Sequence, residues 1–207
     1  HRISPDEGFR ATIDTALNIA ETKGGIVTIG IKPDRPETGY GYIETAPGAE
    51  NIATDRVPVR PVKRFCEKPD RETAEQFLAQ GGFYWNSGTF FWTLDTFLTE
   101  LQSAAPELYD AVYAIRDAIV AGDTPRAHDI FANLQSISID YALMEKATNV
   151  FVAEAAFDWD DVGAWDALER TFPADSGGNV ARGDAVLVDC RGSIVVNENQ
   201  AITTCLL

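Results

Sequence analysis

The sequence predicts an α/β fold for this chain of 207 residues. An amphipathic helix over residues 9–20 is followed by an uninterrupted apolar run at residues 26–31. Such a run, without polar alternation, is typical of a parallel strand buried on both faces. The same alternation returns with a strand at 59–65, a helix that begins near Asp70 and a strand at 83–92. Strands alternating with amphipathic helices favour the α/β class.

Composition limits the classes of function. A hydrophobic content of 45% is enough for a real core, and no apolar run approaches the ~20 residues that a membrane helix needs. The formal charge of −15 argues against sequence-independent nucleic-acid binding, which depends on Lys and Arg. Three widely spaced cysteines indicate reduced thiols and a cytoplasmic protein. With only His1 and His128 present, catalysis by histidine and His-rich metal sites are not expected.

The first helix and the loop after the first strand are marked by Pro and Gly. Ser4 to Glu7 form a capping box with Pro5 at the first helical position. The residues expected to face the core are Phe9, Ile13, Ala16, Leu17 and Ala20. Residues 32–42 contain two prolines and two glycines, and glycine allows the backbone to approach a ligand closely. On the residues alone, this loop is either a ligand-lining loop or an ordinary turn into a strand at 42–44.

The stretch 65–88 is the most informative in the chain. The strand at 59–65 ends at Glu67-Lys68-Pro69, because Pro has no N–H for a ladder. A carboxylate and an ammonium group therefore sit at a strand end, where open α/β sheets bind ligands. The alternative is a structural salt bridge. Asp70 is expected to cap a helix that ends at Gly81-Gly82.

A polar tripeptide interrupts the next strand. Asn86, Ser87 and Gly88 divide the aromatic run of residues 83–92. Because this breaks the apolar pattern of a strand, it suggests a functional or strained site.

Helices are predicted at 94–101, 106–121 and 124–134, as a layer with no chemistry of its own, and at 139–147, with a strand at 150–155. The segment 157–165 then places Asp158, Asp160 and Asp161 between aromatic residues. These carboxylates either help to hold Mg²⁺, which prefers one or two carboxylates plus substrate phosphates, or Asp161 caps a helix that runs through 165–168. From residue 177 onward, short apolar runs between turns predict a small β appendage, with a boundary near 173–179.

Taken in order, these motifs resemble those of the bacterial mannose-1-phosphate guanylyltransferases, a branch of the nucleotide-sugar pyrophosphorylases. The matching stretches are PETGYGYIE, FCEKPD, YWNSGTFFW, SIDYALMEK and WDDVGAW. The resemblance implies a Rossmann-like three-layer α/β/α catalytic domain over 1–173. It also implies a β-rich C-terminal segment over 174–207, as the start of a left-handed β-helix. The implied reaction joins GTP and mannose 1-phosphate to give GDP-mannose and pyrophosphate.

The resemblance also assigns roles to residues. The loop Gly39-Tyr40-Gly41 would line the sugar pocket, and Glu67 would accept hydroxyl groups of mannose. Lys68 would contact the sugar phosphate, Asn86 would bind the sugar beside Ser87 and Gly88, and Asp161 would bind the catalytic Mg²⁺. Lys68 and Asp161 are the expected catalytic residues. A sugar phosphate is already an anionic nucleophile, so positioning and electrostatics suffice and scarce histidine is no objection.

Three features of the family are absent from this sequence. The Gly-rich phosphate-binding loop, a Pro-Lys motif and a first metal-binding Asp would all precede His1. We therefore expect this chain to hold the sugar half of the site and expect no activity from these 207 residues alone. We also expect poor folding in isolation, because missing central strands would expose an apolar sheet edge. A homodimer is expected, with no nucleic-acid or membrane partner. The alternative is a non-catalytic truncated paralogue that binds a partner protein or a nucleotide sugar.

Overall fold

The computed structural model describes residues 1–46, 48–53 and 56–207, which form two compact units. The barrel unit comprises Glu7–Ala156, and the C-terminal unit comprises His1–Asp6 with Phe157–Leu207. The predicted catalytic domain over 1–173 and the predicted appendage over 174–207 stay predictions.

Five strands form a closed hydrogen-bonded ring in the barrel unit. They are β2 (Ile26–Ile31), β3 (Tyr42–Thr45), β4 (Val59–Cys66), β5 (Phe83–Phe91) and β6 (Val150–Glu154), in the order β2-β5-β3-β4-β6. The β2–β6 pair, which closes the ring, is parallel, and the other four pairs are antiparallel. All six residues of β2 are buried, as its apolar run predicts.

The closed ring leaves no unpaired edge among its five strands. The first part of β4 pairs with β6 at Val59–Pro61, while its later part pairs with β3 up to Cys66. One long strand thus spans two neighbours, and each strand of the ring has a partner on both sides. The expected exposed apolar edge is therefore wrong for these five strands. Poor folding of the isolated chain stays a prediction, without that reason to support it.

Helix α1 (Asp6–Lys23) packs on the ring with a face that partly matches the predicted one, since Ala16 and Ala20 are buried and Phe9 and Ile13 are half-buried. Its buried residues are Gly8, Thr12, Ala16, Ile19 and Ala20. Leu17, predicted to face the core, is 46% exposed. The hydroxyl of Thr12 donates to the carbonyl of Gly8 at 2.9 Å and accepts from the N–H of Ala156 at 3.2 Å. This small, partly polar stripe lets the helix lie close to the chain that leaves β6.

The predicted capping box at Ser4 is not formed. Ser4 belongs to β1 (Arg2–Ser4), which pairs antiparallel with β7 (Asp158–Asp160), so α1 begins only at Asp6. The cap predicted at Asp70 is confirmed: its carboxylate accepts from the N–H of Thr73 at 2.8 Å and begins α2 (Arg71–Gln80). Helix α2 ends at Gly81, which has a φ of 70°.

The helices predicted after β5 are present as α3 (Leu94–Ala104), α4 (Pro106–Val120) and α5 (Thr124–Ala132). The segment predicted as a helix over 139–147 is a π-helical turn, Asp140–Met144. Its Leu143 and Met144 pack against buried residues of β2, β3, β4 and β6. Within the described ranges, no helix is long and apolar enough to cross a membrane.

The C-terminal unit is rich in short strands. Strand β8 (Val180–Arg182) pairs parallel with β10 (Ile194–Val196), and β9 (Ala185–Leu187) pairs parallel with β11 (Thr204–Leu206). The buried Asn179 side chain joins the turns, donating to Asp175 and to the carbonyl of Cys190 and accepting from the N–H of Ser193. The expected β character is therefore observed; the handedness of a β-helix stays a prediction.

Candidate functional site

The ring brings three of the predicted site residues to one point. Strand β3 lies between β4 and β5, and its first residue, Tyr42, is opposite both Cys66 and Trp85. The preceding residue, Gly41, is therefore beside Glu67, which follows β4, and Asn86, which follows Trp85 on β5. A Cβ atom built on Gly41 would stand 2.6 Å from Oε2 of Glu67 and 3.4 Å from Cβ of Asn86. The lack of a side chain on Gly41 thus allows the Glu67 carboxylate and Asn86 to lie this close to the chain that enters β3.

Side chains, rather than turn geometry alone, hold the loop before Gly41. Oε1 of Glu37 accepts from the N–H of Gly39 at 3.1 Å, and Oε2 of Glu37 lies 3.4 Å from Nε of Arg35. The ring of Tyr40 meets the ring of Trp85 edge-on at 5.4 Å, and the guanidinium of Arg35 lies 4.8 Å from the centre of the Trp85 ring. The predicted loop Gly39-Tyr40-Gly41 is therefore anchored on the residue that precedes Asn86.

Glu67 and Lys68 form a contact pair. Oε1 of Glu67 lies 3.1 Å from Nζ of Lys68; the Glu67 side chain is 8% exposed and the Lys68 side chain 59% exposed. The hydrogen bond to Glu67 is the main cause that raises the pKa of Lys68. Lys68 also has a φ of 45°, a backbone region in which non-glycine residues are strained and often functional. The salt-bridge alternative is thus realised here, with a buried acceptor and an ammonium group open to solvent.

The side chain of Asn86 makes three hydrogen bonds with described residues. Its Oδ1 accepts from Oγ1 of Thr28 at 3.0 Å and from the N–H of Gly88 at 3.1 Å. Its Nδ2 donates to Oδ1 of Asp140 at 3.2 Å. A primary amide has two N–H donors and two lone pairs, so one N–H of Asn86 remains for another acceptor.

The polar tripeptide forms a β-bulge. On β2, Thr28 is opposite Phe90 while Gly30 is opposite Asn86, so extra residues of β5 are accommodated between them. Gly88 has a φ of 71°, and the buried Ser87 accepts from the N–H of Thr89 at 3.3 Å. Bulges re-aim side chains next to active sites, and this one accompanies the turn of Asn86 toward Gly41. Ser87 and Gly88 shape the bulge.

Three neighbours of the site were missed from the sequence: Thr28, Asp140 and Glu145. Oε1 of Glu145 accepts from the backbone N–H of Glu67 at 3.3 Å. The only signal was the stretch SIDYALMEK, which is a predicted helix and one of the family motifs, with no role assigned to Asp140 or Glu145. Thr28 gave no signal, because a buried threonine in a strand is ordinary.

Asp161 belongs to the C-terminal unit. It follows β7, and its Oδ1 lies 3.0 Å from Nε2 of His1. The neighbouring Asp160 is bound to Arg170 at 2.9 Å and accepts from the N–H of Val162, whose φ is 50°. Helix α6 (Ala167–Thr171) begins too far along the chain for Asp161 to cap it.

Asp161 can offer one carboxylate ligand to a metal ion. Among the described residues, no group of three His, Cys, Asp or Glu side chains is arranged to hold a metal. With Asp160 committed to Arg170, Asp161 can supply a single carboxylate. This agrees with Mg²⁺, which uses one or two carboxylates and takes its other ligands from phosphates and water.

Comparison with known proteins identifies the family. Residues 3–176 match the family model described as nucleotidyl transferase. The chain belongs to this family. The α/β fold and the nucleotidyltransferase class predicted from the sequence are thereby confirmed.

Among similar proteins, a mannose-1-phosphate guanylyltransferase of Escherichia coli is 36% identical over 206 residues, which are 99% of this chain and 44% of that protein. One of Klebsiella pneumoniae is 42% identical over 187 residues, 89% of this chain and 39% of that protein. A crystal structure from Thermus thermophilus, described as a mannose-1-phosphate geranyltransferase, has a TM-score of 0.80 and 34% identity, covering 100% of this chain and 57% of that one. The nucleotidyl transferase chain thus spans about two fifths of the length of these curated relatives.

Proposed function

We propose that the chain is the sugar-phosphate-binding part of an enzyme that transfers a guanylyl group from GTP to mannose 1-phosphate. The products are GDP-mannose and pyrophosphate. The observation that supports this most directly is the meeting of Gly41, Glu67 and Asn86 at the ends of adjacent strands. The names of the relatives favour this function over a non-catalytic role.

A sugar hydroxyl fits the groups that meet at Gly41. The Glu67 carboxylate only accepts hydrogen bonds, and the remaining N–H on Nδ2 of Asn86 only donates. A hydroxyl both donates and accepts, so one hydroxyl, or two neighbouring ones, can satisfy both side chains. Gly41 lets the Glu67 carboxylate lie close to the backbone here, since a Cβ on residue 41 would stand only 2.6 Å from Oε2 of Glu67.

Lys68 would contact the phosphate of mannose 1-phosphate. Its raised pKa, due first to Glu67, keeps the ammonium group charged, and its exposure leaves it accessible to an anion. A phosphate oxygen attacks the α-phosphorus of GTP, and the bond from that phosphorus to the β-phosphate bridging oxygen breaks. Because the attacking oxygen is already deprotonated, the protein need only position the anions and offset their repulsion.

The family relationship supports a divalent metal, and we propose Mg²⁺, held in part by Asp161. When bound, such an ion neutralises phosphate charge. A homodimer, a cytoplasmic location and the lack of nucleic-acid and membrane partners are further proposals. They rest on the resemblance and on composition, with the charge of −15 opposing nucleic acid.

Binding of mannose 1-phosphate to the purified chain tests the sugar site without requiring turnover. We expect saturable binding by calorimetry, weakened at least tenfold in Glu67→Gln, which removes the charge and one acceptor oxygen. Glu21→Gln, at an exposed position on α1, is the charge-matched control. Equal affinity of wild type and Glu67→Gln would contradict the assigned site. In a sample that releases pyrophosphate from GTP, release that persists in Asp161→Ala would contradict the role of Asp161.

A further inference from the structure

The π-helical turn Asp140–Met144 places two carboxylates beside the sugar site. Asp140 accepts from Nδ2 of Asn86, and Glu145, the residue after the turn, accepts from the backbone N–H of Glu67. The turn therefore contacts both polar residues that meet at Gly41.

The π geometry explains how one short turn reaches both. The N–H of Glu145 donates to the carbonyl of Asp140 at 3.0 Å, an i to i+5 hydrogen bond. In an α-helix, residues five apart point about 140° away from each other. The wider π turn brings residue i+5 closer to the side of residue i, and such turns are frequent at functional sites. The buried Ala142, Leu143 and Met144 hold the turn in place.

We propose that Asp140 is a positioning residue that orients the Asn86 amide, so that its remaining N–H donates to a sugar hydroxyl oxygen, while Glu145 fixes the Glu67 backbone. This inference rests on the proposed function and deepens it. It assigns an acceptor role to the sugar oxygen at Asn86.

The orientation of the amide follows from its partners. The N–H of Gly88 can only donate, so it requires the carbonyl oxygen of Asn86 on its side. A carboxylate can only accept, so Asp140 requires the amino group on the other side. Thr28, fully buried on β2, adds a second donor to the same oxygen. The amide thus has one orientation and presents one donor.

The test compares the affinity for mannose 1-phosphate of three variants. Asp140→Ala removes the acceptor, and we expect binding to weaken at least tenfold. Asp140→Asn keeps an acceptor oxygen, and we expect a loss of no more than about threefold. Asp14→Asn, an exposed position on α1, is the control for charge. Wild-type affinity in Asp140→Ala, or equal losses in Asp140→Ala and Asp140→Asn, would overturn the proposal.

A fourth variant separates positioning from structural support. The exchange Asn86→Asp with Asp140→Asn keeps a hydrogen bond between the two positions but reverses its direction. Residue 86 then presents an acceptor instead of a donor to the sugar. We expect a melting temperature close to that of wild type, together with binding weakened at least tenfold. Wild-type affinity in this variant would overturn the proposal. This test remains decisive even if Asp140→Ala does not fold.

The side-chain amide signals of Asn86 in a ¹H–¹⁵N spectrum distinguish this inference from the proposed function. Wild-type protein that does not bind mannose 1-phosphate would refute the function. The orientation of the amide is tested independently, because its signals must shift in Asp140→Ala and remain in place in Asp14→Asn. Unchanged signals in Asp140→Ala would refute the contact.

Discussion

Gly41 is the residue on which the geometry of the site depends most. A methyl group there would stand 2.6 Å from Oε2 of Glu67 and 3.3 Å from Cζ of Phe65. The φ of residue 41 lies outside the left-handed region, so the effect of a substitution comes from this space and not from backbone strain.

Gly41→Ala is therefore expected to weaken binding of mannose 1-phosphate at least tenfold, because the methyl group displaces the Glu67 carboxylate. Gly39→Ala should have a smaller effect, since its Cβ would meet Oε1 of Glu37 only at 3.4 Å. Calorimetric titration of both variants checks the order. A larger loss in Gly39→Ala would contradict it.

Residue types predicted the site where their chemistry is unusual for their position. Glu67 and Lys68 at a strand end, and Asn86 within an aromatic run, were identified in this way. Thr28, Asp140 and Glu145 were missed, because each is ordinary in its local sequence. Their roles come from contacts with residues 54 to 78 positions away, the longest being the contact between Glu67 and Glu145.

At the scale of elements, the bulge in β5 connects local backbone geometry to the site. Gly88 has a φ of 71°, and no atom lies within 4 Å of the position that a Cβ would occupy. Its requirement for glycine is therefore conformational and not steric.

Gly88→Ala should lower the free energy of unfolding by about 1 kcal/mol, the order of cost for an L-residue in the left-handed region. Gly88→Asn should cost less, because asparagine adopts that region more readily. Urea unfolding of the two variants measures the difference. Equal stability of wild type and Gly88→Ala would show that the bulge does not depend on this φ.

Two helical elements show the limits of pattern-based prediction. The apolar spacing of α1 predicted Leu17 as a core residue, but the ring buries the stripe through Thr12, Ala16 and Ile19. The stretch 139–147 has an ordinary helical pattern, yet it forms a π turn. In the π turn, Leu143 and Met144 pack on the ring. Asp140 and Glu145 make hydrogen bonds at the sugar site.

At the scale of the whole molecule, the distribution of charge makes stability depend on pH. Glu44, Asp70 and Asp175 have carboxyl groups with lowered pKa values: Glu44 through hydrogen bonds from Lys63 and then Arg64, Asp70 through Thr73, and Asp175 through Asn179. The unfolded chain binds protons at these groups at higher pH than the folded chain does. Their contribution is therefore present above the ordinary values of 3.8 to 4.5 and is lost as pH falls below them.

Glu44→Gln should make the stability of the protein less dependent on pH. Glu44 lies 2.6 Å from Lys63 and 3.0 Å from Arg64 across the β3–β4 pair, but both cations are more than half exposed. Solvent screening limits the loss in the free energy of unfolding to at most about 1 kcal/mol at about pH 7, and this loss vanishes near about pH 3. Urea unfolding at neutral and at acid pH checks this, with Glu21→Gln as the control. A difference that is undiminished in acid would contradict the electrostatic origin.

By itself, the sequence determined the α/β class, most strand and helix positions and the family, because these follow from periodicity, breakers and motifs. The assignment of the site to Glu67, Lys68 and Asn86 stays a prediction. Only the tertiary structure decided that the five strands close into a ring and that Gly41, Glu67 and Asn86 meet. It also revealed that Asp140 and Glu145 join them from a π turn. Pairing partners and the choice of buried face depend on contacts distant in sequence, and no local pattern specifies those contacts.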